Sequence, residues 1–155
     1  MQYIKRYLPD SLSTRDKVRQ RKELTKSRKL YKQRKYYTRK AMKSFKSKPS
    51  KHLDKARSLY QVENIYPSRE LSRKTGCSVK GLRQIVKKGE GAYYSSGSRP
   101  NQTPQSWGYA RLASSITGGN ASEVDFHILN NECDHRKPAY RLAQKPSSSL
   151  RRTRK

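Results

Sequence analysis

Apolar residues recur along this chain in short, separated bursts, and the spacing inside most bursts predicts helices. Residues 14–35 contain neither Gly nor Pro and are rich in strong helix formers. Ser13 and Asp16 form a weak capping box ahead of them. The apolar positions of this helix are Val18, Leu24, Leu30 and Tyr31. So thin a stripe cannot be buried on two sides, so the helix is expected to lie on a surface or to form fully on binding. A second helix is predicted over residues 50–60, capped by Ser50, with Leu53, Ala56, Leu59 and Tyr60 on one face. Between the two, residues 36–49 read as an extended basic linker anchored by Tyr36, Tyr37 and Phe45. Such aromatic residues can stack on bases or fill apolar pockets on a protein partner.

Residues 68–88, SRELSRKTGCSVKGLRQIVKK, hold the most legible local motif. Ser68 caps a helix to about residue 75, Gly76 supplies the positive φ of a tight turn, and Ser78 caps a second helix to about residue 88. Leu71, Cys77, Leu82 and Ile85 fall where two short crossed helices meet. The arrangement resembles the DNA-binding helix-turn-helix, in which the second helix enters the major groove. Its outward residues would be Ser78, Lys80, Arg83, Gln84, Lys87 and Lys88. The same hairpin also serves as a plain structural unit, and Gly81 costs roughly 1 kcal/mol in mid-helix relative to Ala.

Residues 89–119 change character: they carry one acid, Glu90, and two bases, Arg99 and Arg111, with the only tryptophan, Trp107. Gly89 is expected to end the hairpin's second helix. Residues 91–94 read as a short strand and 95–101 as a loop. Pro104 opens a helix that Gly118 and Gly119 stop, and it is expected to pack Trp107 over Leu71, Leu82 and Ile85. A last helix opens at Ser122 with Val124, Phe126, Ile128 and Leu129 as its apolar set; Tyr140 and Leu142 are anchors beyond it.

Charge sharpens this division. The 155 residues carry 38 Lys and Arg against 11 Asp and Glu, net +27. Residues 1–60 hold 21 of the bases and 4 of the acids, whereas residues 101–145 hold 5 and 4. The expected organisation is therefore mainly α: a basic N-terminal arm over residues 1–49, a small helical domain over 50–145 and a basic flexible tail over 146–155. An arm of that charge calls for a polyanion, and nucleic acid, anionic lipid and an acidic protein surface all qualify. Candidate contacts on the arm are Arg21, Arg28 and Lys35.

The remaining chemistry is sparse. No apolar run approaches a membrane span, and MQYIKRYLPDSLS lacks the apolar region of a secretory signal. Cys77 and Cys133 are expected to be free thiols in a reducing compartment. A zinc site needs about four ligands, and the thinly spread Cys and His residues predict no metal or cofactor. No nucleophile elbow, phosphate-cradling Gly loop or metalloprotease motif occurs, so no enzyme and no small-molecule substrate are expected. Arg99, Asn101, Gln102, Ser106, Tyr109 and Arg111 cluster in sequence, and the reading given them is satisfaction of buried backbone groups.

Three runs, GAYYSSGSRPNQTPQSWGYARLASSITGG, YLPDSLSTRDK and KYYTRKAMKSFKSK, resemble a family of small basic proteins of large eukaryotic DNA viruses, the algal phycodnaviruses and their mimivirus-like relatives. The resemblance covers about residues 3–130 and brings no catalytic residues. It implies a virion component made in the host cell. The expectation is a minor capsid protein beneath an icosahedral shell, partnered by the major capsid protein and other capsid proteins, and its basic arm would bridge subunits or meet the anionic inner membrane. The alternative is a protein that condenses or packages the DNA genome.

Overall fold

A computed structural model describes residues 3–144; the expected tail over 146–155 lies outside the described residues. The fold is mainly α, as the apolar spacing predicts. Eight helices follow in order among the described residues: α1 Thr14–Lys32, α2 Lys51–Tyr60, α3 Arg69–Thr75, α4 Val79–Ser95, α5 Pro104–Ile116, α6 Asn120–Val124, α7 Phe126–Glu132 and α8 Pro138–Gln144. They belong to two units. One comprises the residues up to Lys48 together with Glu90–Trp107; the other comprises Pro49–Gly89 together with the residues from Gly108 onward. The low-charge stretch is thus divided between the units, with α4 and α5 each contributing turns to both.

The second unit is held by apolar burial. Ala56 and Tyr60 of α2, Val62 and Ile65 of the connector, Leu71 of α3 and Leu82 and Ile85 of α4 share one cluster with Leu112, Ala113 and Ile116 of α5. Ile128 and Leu129 of α7 and Ala139, Tyr140 and Ala143 of α8 complete it. Each fully buried Leu or Ile stabilises by about 1.5–3 kcal/mol, which suffices to order helices as short as α3, α7 and α8. The Tyr60 hydroxyl donates to the Ile116 carbonyl at the end of α5. Leu59 and Val124, assigned to buried faces by spacing, are instead 46% and 63% exposed. The expected single last helix is broken into α6 and α7 at Asp125.

The hairpin forms as its sequence dictates. Ser68 accepts from the Leu71 N–H, Gly76 turns at φ 83°, and Ser78 Oγ accepts from the Gly81 N–H at 3.0 Å. Gly89 does not end the second helix, however. A Cβ there would lie 2.6 Å from the Gly108 Cα, so Gly89 is where α4 and α5 cross at close range. The helix runs on to Ser95, and residues 91–94, expected as a strand, are helical.

Cys77 and Cys133, expected to be free, form a disulfide across 56 residues. The backbone explains the pairing. Ser78 N–H donates to the Glu132 carbonyl and Asp134 N–H to the Gly76 carbonyl, each at 2.8 Å, so the two cysteines face each other across an isolated antiparallel bridge. They occupy its non-hydrogen-bonded pair, the position that brings facing side chains closest. Nothing in the sequence spacing advertises that bridge.

The first unit is built differently, around polar groups. The face α1 buries is Asp16, Gln20, Leu24 and Ser27. Tyr7, Leu12, Met42 and Tyr93 supply its apolar contacts, and the edge of Trp107 meets Tyr7 with ring centroids 6.3 Å apart. Trp107 therefore belongs to this unit, and Leu112 and Ile116 take the place expected for it over Leu71 and Leu82.

Candidate functional site

The outward face of α1 follows from how the helix is held. Ser13 Oγ accepts from the Asp16 N–H at 3.1 Å and fixes the N-terminus. The Asp16 carboxylate accepts from Ser44 Oγ at 2.6 Å and Ser44 N–H at 2.9 Å. Those bonds, the side-chain one foremost, lower the Asp16 pKa below its ordinary 3.8. One of the two acids of α1 is thereby turned inward, and the other, Glu23, is half-buried and takes a backbone N–H from Lys40. No exposed residue of α1 is acidic. Arg15, Arg19, Lys22, Lys26 and Lys29 follow one another at spacings of four, three, four and three, a single stripe along the exposed side. At 1.5 Å per residue the stripe is about 21 Å long. A shallow groove of about 420 Å³ lined by Arg21, Lys22, Thr25, Lys26 and Lys29 lies along it.

What pins α1 is a buried arginine. Arg39 is 8% exposed and has no carboxylate among its hydrogen-bond acceptors. Its Nη1 donates to Ser27 Oγ at 2.8 Å and to the Tyr93 carbonyl at 2.7 Å, and its Nη2 donates to Ser98 Oγ at 2.7 Å. Its guanidinium carbon lies 3.7 Å from the centre of the Tyr93 ring. The fork of donors and the π face take the place of a counter-ion, and burial lowers the Arg39 pKa from its ordinary value. Asn101, at φ 63°, holds the segment after Arg39: its Oδ1 accepts from the Met42 N–H and its Nδ2 donates to the Met42 and Phe45 carbonyls. Asn101 does what the sequence suggests for its cluster, satisfying backbone groups around the loop.

The arm residues singled out from sequence divide. Arg21 and Lys35 are exposed. Arg28 is half-buried, with Nε donating to the Ser95 carbonyl at 3.0 Å and the guanidinium over Tyr3, so it holds the unit together. Tyr36 is exposed, while Tyr37 and Phe45 are half-buried. Lys26 Nζ sits 4.4 Å from the Tyr37 ring centre; burial, and then the neighbouring Glu23, raise the Tyr37 pKa.

On the second unit, Lys80, Arg83, Gln84, Lys87 and Lys88 are all exposed along α4. Gln84, Lys87 and Lys88 line an open groove of about 550 Å³ with His127, Asn131 and Glu132. The start of α4 is partly covered, however. Ser78 Oγ donates to the Glu132 carboxylate at 2.6 Å, and a Cβ at Gly81 would lie 2.5 Å from the Glu132 Cβ. A helix-turn-helix reads bases with the N-terminal residues of its second helix. Here Ser78 and Gly81 face the Glu132 side chain while Lys80 stays exposed, which suits a structural hairpin better than a base reader. Lys88 is also drawn inward, 4.0 Å from the fully buried Asp125, which Arg111 grips through Nε and Nη2 at 3.0 and 2.7 Å. Among the Cys and His side chains, Cys133 is in the disulfide and His135 stacks on Tyr140. No group of three His, Cys, Asp or Glu among the described residues could hold a metal ion.

The molecule these features define is a small basic, mainly helical protein with a cationic face on one unit and a disulfide-closed hairpin on the other. The chain belongs to DUF5824, a family of unknown function, which it matches over residues 5–131. No curated protein and no solved structure matches it.

Proposed function

We propose that the protein binds nucleic acid without catalysis, through the exposed face of α1, and serves to condense or package a genome. The observation that carries this reading is the stripe Arg15, Arg19, Lys22, Lys26 and Lys29, set on a helix whose two acids are both withdrawn from that face. A straight row of cations on a docked helix meets a phosphate backbone without reading its sequence. Docking also orders these side chains' backbone before contact, so binding is spared that entropy. Gel-shift or anisotropy titration against a random-sequence duplex tests the reading. Affinity should fall steeply with salt; absence of any complex at moderate ionic strength, with this duplex and with its separated strands, overturns it.

A second reading is a minor capsid protein on the inner face of a viral shell, the setting that the family resemblance implies. It is favoured by the exposed apolar side chains of the second unit, Leu59 at 46%, Tyr66 at 48% and Val124 at 63%, which suit contact with other proteins. Under both readings the protein is carried in the virion beneath the shell. Mass spectrometry of purified, nuclease-treated virions should find it there, and its absence would remove both assignments of location.

A further inference from the structure

At the C-terminal end of α1 the first unit presents an aromatic group that the cationic stripe alone does not account for. Tyr31 stacks on Tyr94 with ring centroids 6.0 Å apart and planes at 8°. Tyr36 leans on both, 6.1 Å from Tyr31 and 5.2 Å from Tyr94. Tyr93, fully buried, meets Tyr94 edge-on at 5.3 Å and ties the group to the core. The chain is brought back to make this contact by Arg34, whose φ of 61° ends the helix; Arg34 and Lys35 N–H donate to the Tyr31 and Leu30 carbonyls.

Tyr36 is 71% exposed, the most open of the large apolar side chains among the described residues. It is nevertheless held, because two other rings support it. Lys32, Arg34 and Lys35 are exposed beside it in sequence, and no acid occurs between Glu23 and Asp54. An apolar protein partner would meet a ring ringed by like charge. An unpaired base carries its own phosphate and offers a flat π face, so it complements both features. Bases in a duplex have their faces covered by their neighbours and offer only edges and phosphates.

We infer that Tyr36 is a stacking site for an unpaired base, and that the protein prefers single-stranded to duplex nucleic acid. This rests on the nucleic-acid reading above and names the class of strand that the site takes. The test is anisotropy with the full chain, one labelled 20-nucleotide strand and its duplex, at the same moderate salt. Wild type should bind the single strand more tightly. Tyr36→Ala should lose roughly tenfold on the single strand and nothing on the duplex, and Tyr36→Phe, which keeps the ring, should bind as wild type. Equal loss on both forms, or no loss, overturns the stacking site while leaving the nucleic-acid reading in place. Binding of neither form by wild type overturns that reading itself. Photocrosslinking of the wild-type chain to a 5-iodouracil strand gives a check free of any folding defect. An adduct on Tyr36 supports the proposal, and adducts confined to other residues refute it.

Discussion

Arg39 shows at the scale of one residue how a chain so poor in apolar side chains organises its first unit. Arg39→Met leaves Ser27 Oγ and the Tyr93 carbonyl without this donor, while Ser98 Oγ keeps its bond to the Arg99 carbonyl. Each buried polar group so orphaned costs about 1–3 kcal/mol. Arg39→Lys keeps the charge but not the fork, so it should also be destabilised; urea unfolding of the two variants checks this. Asp16 gives a pH dependence with a definite sign. Its folded pKa is lowered, so its contribution is present above 3.8 and is lost as pH falls through the folded value. Asp16→Asn should flatten that part of the acid limb, read as urea midpoint against pH. Gly76→Ala should cost upwards of about 1 kcal/mol, since the φ of 83° is left-handed and the new methyl would strike the Lys137 side chain.

Among elements, the hairpin was the most legible in sequence, and the disulfide the least. Ser68, Gly76 and Ser78 announce local geometry, because caps and positive-φ turns are decided within a few residues. Cys77 and Cys133 are paired by an isolated bridge between segments 56 residues apart, which no local pattern encodes. Gly89 misleads for a related reason: a glycine that ends a helix and one that lets two helices cross look alike until the partner, Gly108, is known. The last helix is broken at Asp125, whose carboxylate is held by Arg111 and Ser115 of α5. The bridge closes a long loop, so its loss should lower stability by about 2–4 kcal/mol. The expected result is a lower urea midpoint for the Cys77→Ser, Cys133→Ser double variant, unchanged by added reductant, and a reductant-sensitive midpoint for wild type.

For the whole molecule, the charge map read from sequence located the cationic half but not its form. Thin apolar spacing over residues 14–35 suggested a helix without a firm seat, because the groups that seat it, Asp16, Gln20, Ser27 and Arg39, are polar and leave no hydrophobic signature. The α1 stripe becomes visible once that buried face is known, and Arg28, one of the cations picked from sequence, proves to be structural. The most direct measurement of the nucleic-acid reading is a salt titration of duplex binding by wild type and by the triple variant Arg19→Gln, Lys22→Gln, Lys29→Gln. Wild type should show log K falling linearly with log salt, and the variant should bind more weakly, with a slope shallower by about 0.9 for each phosphate contact removed. The same affinity and the same slope in both proteins would contradict binding through α1.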